Sequence, residues 1–314
     1  MLITFENNAE IPDKLIDFYE QAFLTLFSKH DAHKNMYRRE IKSNLRYTDF
    51  KRVFSCFCFL TYLKRRFELK EYEALEFIEK AKGLANMQNS VDASMYLDDL
   101  IHAVCMLIQY GCDLSFSHRS FQEYFTAVYI STLPDCNQEP LINRLIHKNS
   151  MGSEGIVNLL YDLQPERTIK NVIYPTMLEW RRELEEKGSY EEFLFTKVSG
   201  VIFYMNSKKG ERLALRIKDI YYSSMSRFID KAIIKSQLNL DTVATDKCKT
   251  LIEDYFLQRR VSRLEIKDLR ETEIWGEFLH YLSFWTARIE GIMKFLKDYE
   301  ETINSPKSKF DVYF

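Results

Sequence analysis

Apolar residues near the start of the chain recur at steps of three and four. Leu15, Ile16, Tyr19, Phe23 and Phe27 share one face of a helix that Pro12 suits at its first turn and that runs to about Ser28. A polar, partly helical connection, His30 to Ser43, follows. From Asp49 to Arg66 nearly every side of the helix is apolar (Phe50, Val53, Phe54, Phe57, Phe59, Leu60, Tyr62, Leu63), which predicts burial at the centre of a core. A second helix is predicted over Leu69 to Lys82 with Gly83 as its C-cap, and a third over Val91 to Ala103 with Asp98, Asp99 and His102 on its polar face.

The period then shortens to two. Val104–Tyr110 and Asp113–His118 read as short strands about a turn at Gly111, with Leu114, Phe116 and His118 on one face and Ser115 and Ser117 on the other. Three helices and then a β-hairpin is the element order of a winged helix. Ser120 with Glu123 three residues on forms a capping box, opening a helix that ends before Pro134. Beyond Pro134 the pattern predicts helices near 138–148, 153–163, 166–186, 190–205, 208–235, 241–257 and 265–304. The last carries a stripe of Trp275, Phe278, Leu279, Leu282, Trp285, Ile289, Ile292 and Phe295. No fixed-period repeat is visible, which disfavours solenoid arrays. The prediction is a mainly α protein: a helical segment over 1–48, a winged-helix domain with a short β-hairpin over 49–133, and a C-terminal α-helical array over 134–314.

Composition supports this and narrows the function classes. Only 9 Gly and 6 Pro in 314 residues favour long helices, and 46% hydrophobic with 29% charged residues is ordinary for a globular protein. A net charge of −2 gives no overall attraction for nucleic acid or an acidic membrane. The basic runs Arg38-Arg39, Lys64-Arg65-Arg66 and Arg259-Arg260 sit beside acids or at helix ends and read as solvated faces. The candidate recognition helix, 91–103, is acidic (Asp92, Asp98, Asp99), so a nucleic-acid partner is disfavoured. Six cysteines have no framework spacing, and Cys56, Cys58 and Cys105 read as reduced thiols acting as small hydrophobes. No signal peptide is read, and the longest near-apolar run, Val53 to Leu63, has 11 residues, too few to cross a bilayer. A cytoplasmic protein without a membrane partner is expected.

Candidate chemistry centres on His118. A partly buried imidazole at a strand end beside a helix N-terminus can donate to a phosphate oxygen, or it can be a core histidine satisfied by a backbone carbonyl. Asp98 and His102, at i and i+4 with Asp99 beside them, have a chelating spacing but no third ligand, and read rather as an exposed ion pair. His30-Asp31 with His33 lacks the distant partners of a metal phosphohydrolase, and Cys56-Phe57-Cys58 lacks a second pair. Ser120 has no nucleophile elbow around it.

Two stretches carry a family likeness. Glu10-Ile11-Pro12-Asp13-Lys14-Leu15-Ile16-Asp17-Phe18-Tyr19-Glu20-Gln21-Ala22-Phe23 resembles the small helical domain that follows the NTPase core of NACHT-type STAND signalling ATPases, the class that includes NLR-type immune receptors and bacterial defence relatives. Phe116-Ser117-His118-Arg119-Ser120-Phe121-Gln122-Glu123-Tyr124-Phe125 is similar to the end of the winged-helix domain that comes next in that class. The likeness spans about residues 1–133 and makes 1–48 the remnant of the small helical domain. It implies that His118 faces the nucleotide phosphates and helps hold a resting, ADP-bound state closed. The class also needs a glycine-rich phosphate loop and an acidic strand end for magnesium. No G-x-x-x-x-G-K-[ST] occurs; Lys208-Lys209-Gly210 and Gly152-Ser153-Glu154-Gly155 lack its spacing.

The resemblance therefore implies the regulatory and sensor C-terminal segment of a longer or split NACHT protein in antiviral or innate defence. Such a segment is not an enzyme on its own and has no catalytic or metal residues; ATP or ADP with Mg belongs to the complete parent. Its implied partners are the missing NTPase module, in cis or in trans, further protomers, and a protein or ligand trigger. The contrasting class is a free-standing helical scaffold or adaptor without nucleotide control.

Overall fold

In a computed structural model of the chain, the described residues are 14–28, 41–89, 91–148, 153–206, 210–217, 229 and 242–304. The fold is mainly helical with two small antiparallel sheets, and it divides into compact units, Met1–Asn171 and Val172–Phe314.

In the first unit α1 (Leu15–Ser28) buries Tyr19 and Phe23 of the predicted face together with Ala22, while Ile16 and Phe27 are partly buried and Leu15 is exposed. Pro12, the connection from His30 to Glu40, and His30, Asp31 and His33 in particular lie outside the described residues. The central helix is α2 (Tyr47–Leu63), whose Phe50, Val53, Phe54, Phe57, Cys58 and Tyr62 have no solvent exposure. Each buried ring is worth roughly 1.5–3 kcal/mol of transfer free energy, which makes α2 the organising element of this unit. It is followed by β1 (Glu68–Lys70), α3 (Glu71–Leu84) and α4 (Ala93–Asp98). Helix α4 is capped by the Asp92 carboxylate and runs on into a π-helical turn, Asp99–Ala103. The hairpin is β2 (Leu107–Tyr110) and β3 (Asp113–Phe116), turning at Gly111 with φ +62°. The sheet order is β1-β3-β2, with Leu69 opposite Leu114 and Leu107 opposite Phe116.

Helices α5 (Arg119–Ser131), α6 (Asp135–Lys148) and α7 (Ser153–Leu163) come next, then α8 (Pro165–Thr168) and a second π-helical turn, Ile169–Ile173. Helix α5 packs on α2 and α7. Arg167 joins α5 to α6 by donating to the Ser131 and Leu133 carbonyls and to Asp135.

Several local expectations are corrected. Leu69 is a strand residue, and the helix begins after it. Gly83 lies inside the last turn of α3; the left-handed position beyond that helix belongs to Asn86, φ 55°. The strand expected from Val104 starts at Leu107, because the Val104 and Met106 N–H groups bond back to the Asp99 and Leu100 carbonyls of the π-helical turn and Cys105 between them is left-handed. Cys105 is exposed in a left-handed conformation, φ 53°, and is not a core thiol.

The second unit holds α9 (Tyr174–Lys187), closed by Gly188 at φ 74°, and α10 (Tyr190–Lys197), capped by Ser189. The strands β4 (Val198–Asn206) and β5 (Gly210–Ile217) then form an antiparallel hairpin. This replaces the end of the expected 190–205 helix and the start of the 208–235 helix; residues 218–228 and 230–235 lie outside the described residues. The segment Val198-Ser199-Gly200-Val201-Ile202-Phe203-Tyr204 is rich in β-branched and aromatic residues, which pack well on a pleated surface.

Helix α11 (Thr242–Arg259), β6 (Arg263–Glu265), α12 (Ile266–Leu269) and α13 (Trp275–Asn304) complete the unit. The helix expected over 265–304 is thus divided: pairing of β6 with β4 at Gly200–Ile202 takes its start out of the helix, and a turn separates α12 from α13. A Cβ on Gly200 would lie 2.0 Å from the Leu264 carbonyl oxygen, so only glycine permits that approach. Val201, Ile252, Phe256, Leu269, Ile274, Phe278 and Leu282 form the core, and the α13 stripe continues through Ile289, Ile292 and Leu296.

Candidate functional site

The chain leaves β3 at Phe116, and Ser117 returns a backbone hydrogen bond to the Met106 carbonyl at 3.0 Å. His118 is then extended, φ −151° and ψ 129°, and is the N-cap of α5. Its Nδ1 accepts from the Ser120 backbone N–H at 3.3 Å and lies 2.5 Å from Ser120 Oγ. The expected capping box is therefore corrected: His118 caps the helix, and Ser120 is its second residue. The imidazole is exposed, neither half-buried nor a satisfied core group. With Nδ1 accepting, the neutral ring carries its proton on Nε2, so Nε2–H is the donor it can offer.

Glu123, released from capping, forms a different pair. Its Oε1 lies 3.2 Å from Arg119 Nε, and the Arg119 guanidinium stacks 4.2 Å over the Phe67 ring. The Glu123 side chain is 18% exposed, and its Oε2 lies 3.3 Å from where a Cβ on Gly155 would stand, in the first turn of α7. Burial raises the Glu123 carboxyl above the usual carboxylate range, with Arg119 and His118 opposing that rise. Gln122 has no exposure; its amide donates to Thr61 Oγ1 at 2.9 Å and to the Arg66 carbonyl at 3.0 Å, which fastens α5 to the end of α2.

The rest of the motif packs on α1. Tyr19 stacks on Tyr124, with centroids 5.1 Å apart, and meets Phe121 edge-on; Phe23 meets Phe125 at 4.7 Å. Glu20 accepts from Tyr124 Oη at 2.9 Å, from Tyr47 Oη at 2.8 Å, and from Lys51 Nζ at 2.6 and 2.7 Å. Burial pushes the Glu20 carboxyl up, but the hydrogen bonds from Lys51, Tyr47 and Tyr124 outweigh it and leave the group below its ordinary range. The same network pushes the Tyr47 and Tyr124 hydroxyls well up, burial being the largest cause. The two stretches that carry the family likeness are thus in direct contact. Glu20, Tyr47, Lys51 and Phe67, which complete the arrangement, have no local sequence signal that marks them.

The other candidates have structural roles. Asp98, partly exposed, pairs with Lys42 at 2.8 Å, and its other carboxylate oxygen lies 3.8 Å from His102 Nε2. Asp99 is 1% exposed and not on a polar face; its carboxylate accepts from the Lys42 and Ser43 backbone N–H groups at 2.8 and 2.9 Å. Cys56 and Cys58 are buried, and burial pushes the Cys56 thiol up to about 12. Among the described residues no group of three or more His, Cys, Asp and Glu is arranged to hold a metal ion, and no helix is long and apolar enough to cross a membrane.

Comparison with known proteins bears on the second half of the chain. Residues 161–312 match the family described as Short NACHT-associated C-Terminal domain, family 7 (SNaCT7), which is a domain found with NACHT and not the NTPase itself. No curated protein and no solved structure matches the chain. This match over the second half of the chain supports a NACHT-related C-terminal segment, and no phosphate-loop motif occurs in the sequence.

Proposed function

We propose that the chain is the regulatory and sensor segment of a NACHT-type signalling ATPase acting in antiviral or innate defence. In this reading residues 49–133 are a winged-helix latch. The order α2-β1-α3-α4-β2-β3 with sheet order β1-β3-β2 supports it. Residues 1–48 are the remnant of the small helical domain, and the remainder senses a trigger or joins protomers. His118 meets a phosphate of the nucleotide held by a separate NTPase module; its fixed Nε2–H is the donor, and the positive end of α5 adds to the attraction. ATP or ADP with Mg belongs to that module.

The observation that carries the proposal is the SNaCT7 match in the chain that also presents an exposed His118 on the NACHT-like motif. The test is purification with the NACHT NTPase encoded in frame or adjacent to this gene. Alone, the chain turns over no ATP; with the module it co-elutes and prolongs retention of ADP. An unrelated neighbouring gene and no binding to such a module would leave the helical scaffold as the better reading.

A further inference from the structure

We propose that Arg119 is a switch arm shared between Glu123 and the nucleotide phosphate, and that Glu123 relays its position to the first turn of α7. The inference rests on the reading that a phosphate meets His118. Arg119 follows that histidine directly and is half-exposed, and in this proposal an anion at His118 draws its guanidinium. Its position against Phe67 holds the guanidinium flat while its Nε serves Glu123. A phosphate and Glu123 therefore compete for one cation. Arginine suits the exchange because its planar fork can serve a carboxylate or a phosphate.

Glu123 cannot lose Arg119 without consequence. Its carboxyl is largely buried between α5 and α7, with Oε1 on Arg119 and Oε2 against Gly155 in the first turn of α7. Its negative charge favours that turn, since helix N-termini attract anions. Without the guanidinium, a buried carboxylate is poorly compensated and must take a proton or turn toward water. Either change moves Oε2 from its close approach to Gly155 in α7. Helix α7 also contains Tyr161, where the SNaCT7 match begins. Because coupling between two binding equilibria is reciprocal, a trigger that displaces the first turn of α7 alters nucleotide affinity by the same factor that nucleotide alters the turn.

The experiment is hydrogen exchange of residues 153–163, with and without ADP, in the complex of this chain with its NACHT module, alongside the release rate of a fluorescent ADP. In wild type, ADP speeds exchange in the first turn of α7 several-fold. In Glu123→Gln that response disappears while ADP is released more slowly, since nothing charged competes for Arg119. In Arg119→Gln the response also disappears, but ADP is released faster. His118→Ala separates the two levels. If it speeds ADP release while Glu123→Gln leaves the α7 response intact, the relay is wrong and the latch reading stands. If His118→Ala leaves release unchanged, both fall.

Discussion

Replacing Glu20 by alanine removes the one acceptor that Tyr47, Lys51 and Tyr124 share. A hydrogen bond to a charged group is worth about 1.5–3 kcal/mol when well shielded. The Glu20 side chain is 36% exposed, however, so water replaces part of each bond on mutation. Discounting each of the three donors to about 1 kcal/mol gives a loss of roughly 2–3 kcal/mol for the first unit. Tyr124→Phe removes one bond and costs about 1 kcal/mol, and the double variant falls short of the sum by a similar amount because the two share that bond.

All three tryptophans (Trp180, Trp275, Trp285) lie in the second unit, so native-state hydrogen exchange of α2 amides is the assay for the first. A pH series adds a second constraint. The folded Glu20 carboxyl is held below its ordinary value of 4.5, so its contribution is complete above that pH and is lost as pH falls through the lower, folded value. Glu20→Gln must flatten the acid side of the stability profile. A loss below about 0.5 kcal/mol in Glu20→Ala, or an unchanged acid slope in Glu20→Gln, would refute the assignment of this carboxylate as the joint between α1, α2 and α5.

Gly200→Ala forces β4 away from β6, because the new methyl would sit 2.0 Å from a backbone oxygen. The second unit should lose about 3 kcal/mol or more, read by tryptophan fluorescence in urea, while exchange in α2 stays unchanged. In the native protein, alkylation at pH 8 should modify Cys105, Cys112 and Cys136, which are exposed, well before Cys56 and Cys58. Mass spectrometry of a time course gives the order, and early labelling of Cys58 would contradict the burial of α2.

The parts legible in the sequence are those whose cause is local. Helix α2 shows itself because it is apolar on nearly every side beyond its first turns, and the β2–β3 turn because Gly111 takes a conformation other residues resist. Strand β1 is three residues long and exists only because β3 pairs with it, so Glu68-Leu69-Lys70 reads equally well as the start of a helix. Strand β4 shows the same competition: an apolar run following α10 fits either period, and its pairing with β5 along its length and with β6 at Gly200–Ile202 decides it. At the site, the Ser120–Glu123 spacing suits a capping box, but the same glutamate also lies four residues from Arg119, and the packing of α7 favours the second pairing. His118 could be placed at the end of a strand; its exposure and its role as cap could not. Glu20 was beyond sequence reasoning, since its partners are 27, 31 and 104 residues away.

The most direct measurement of the central claim is the dissociation rate of a fluorescent ADP from the NACHT module bound to this chain, compared between wild type and His118→Ala. Loss of one charge-assisted bond to a phosphate corresponds to about a tenfold to hundredfold faster release. Release at the wild-type rate from a complex that still forms would contradict the latch.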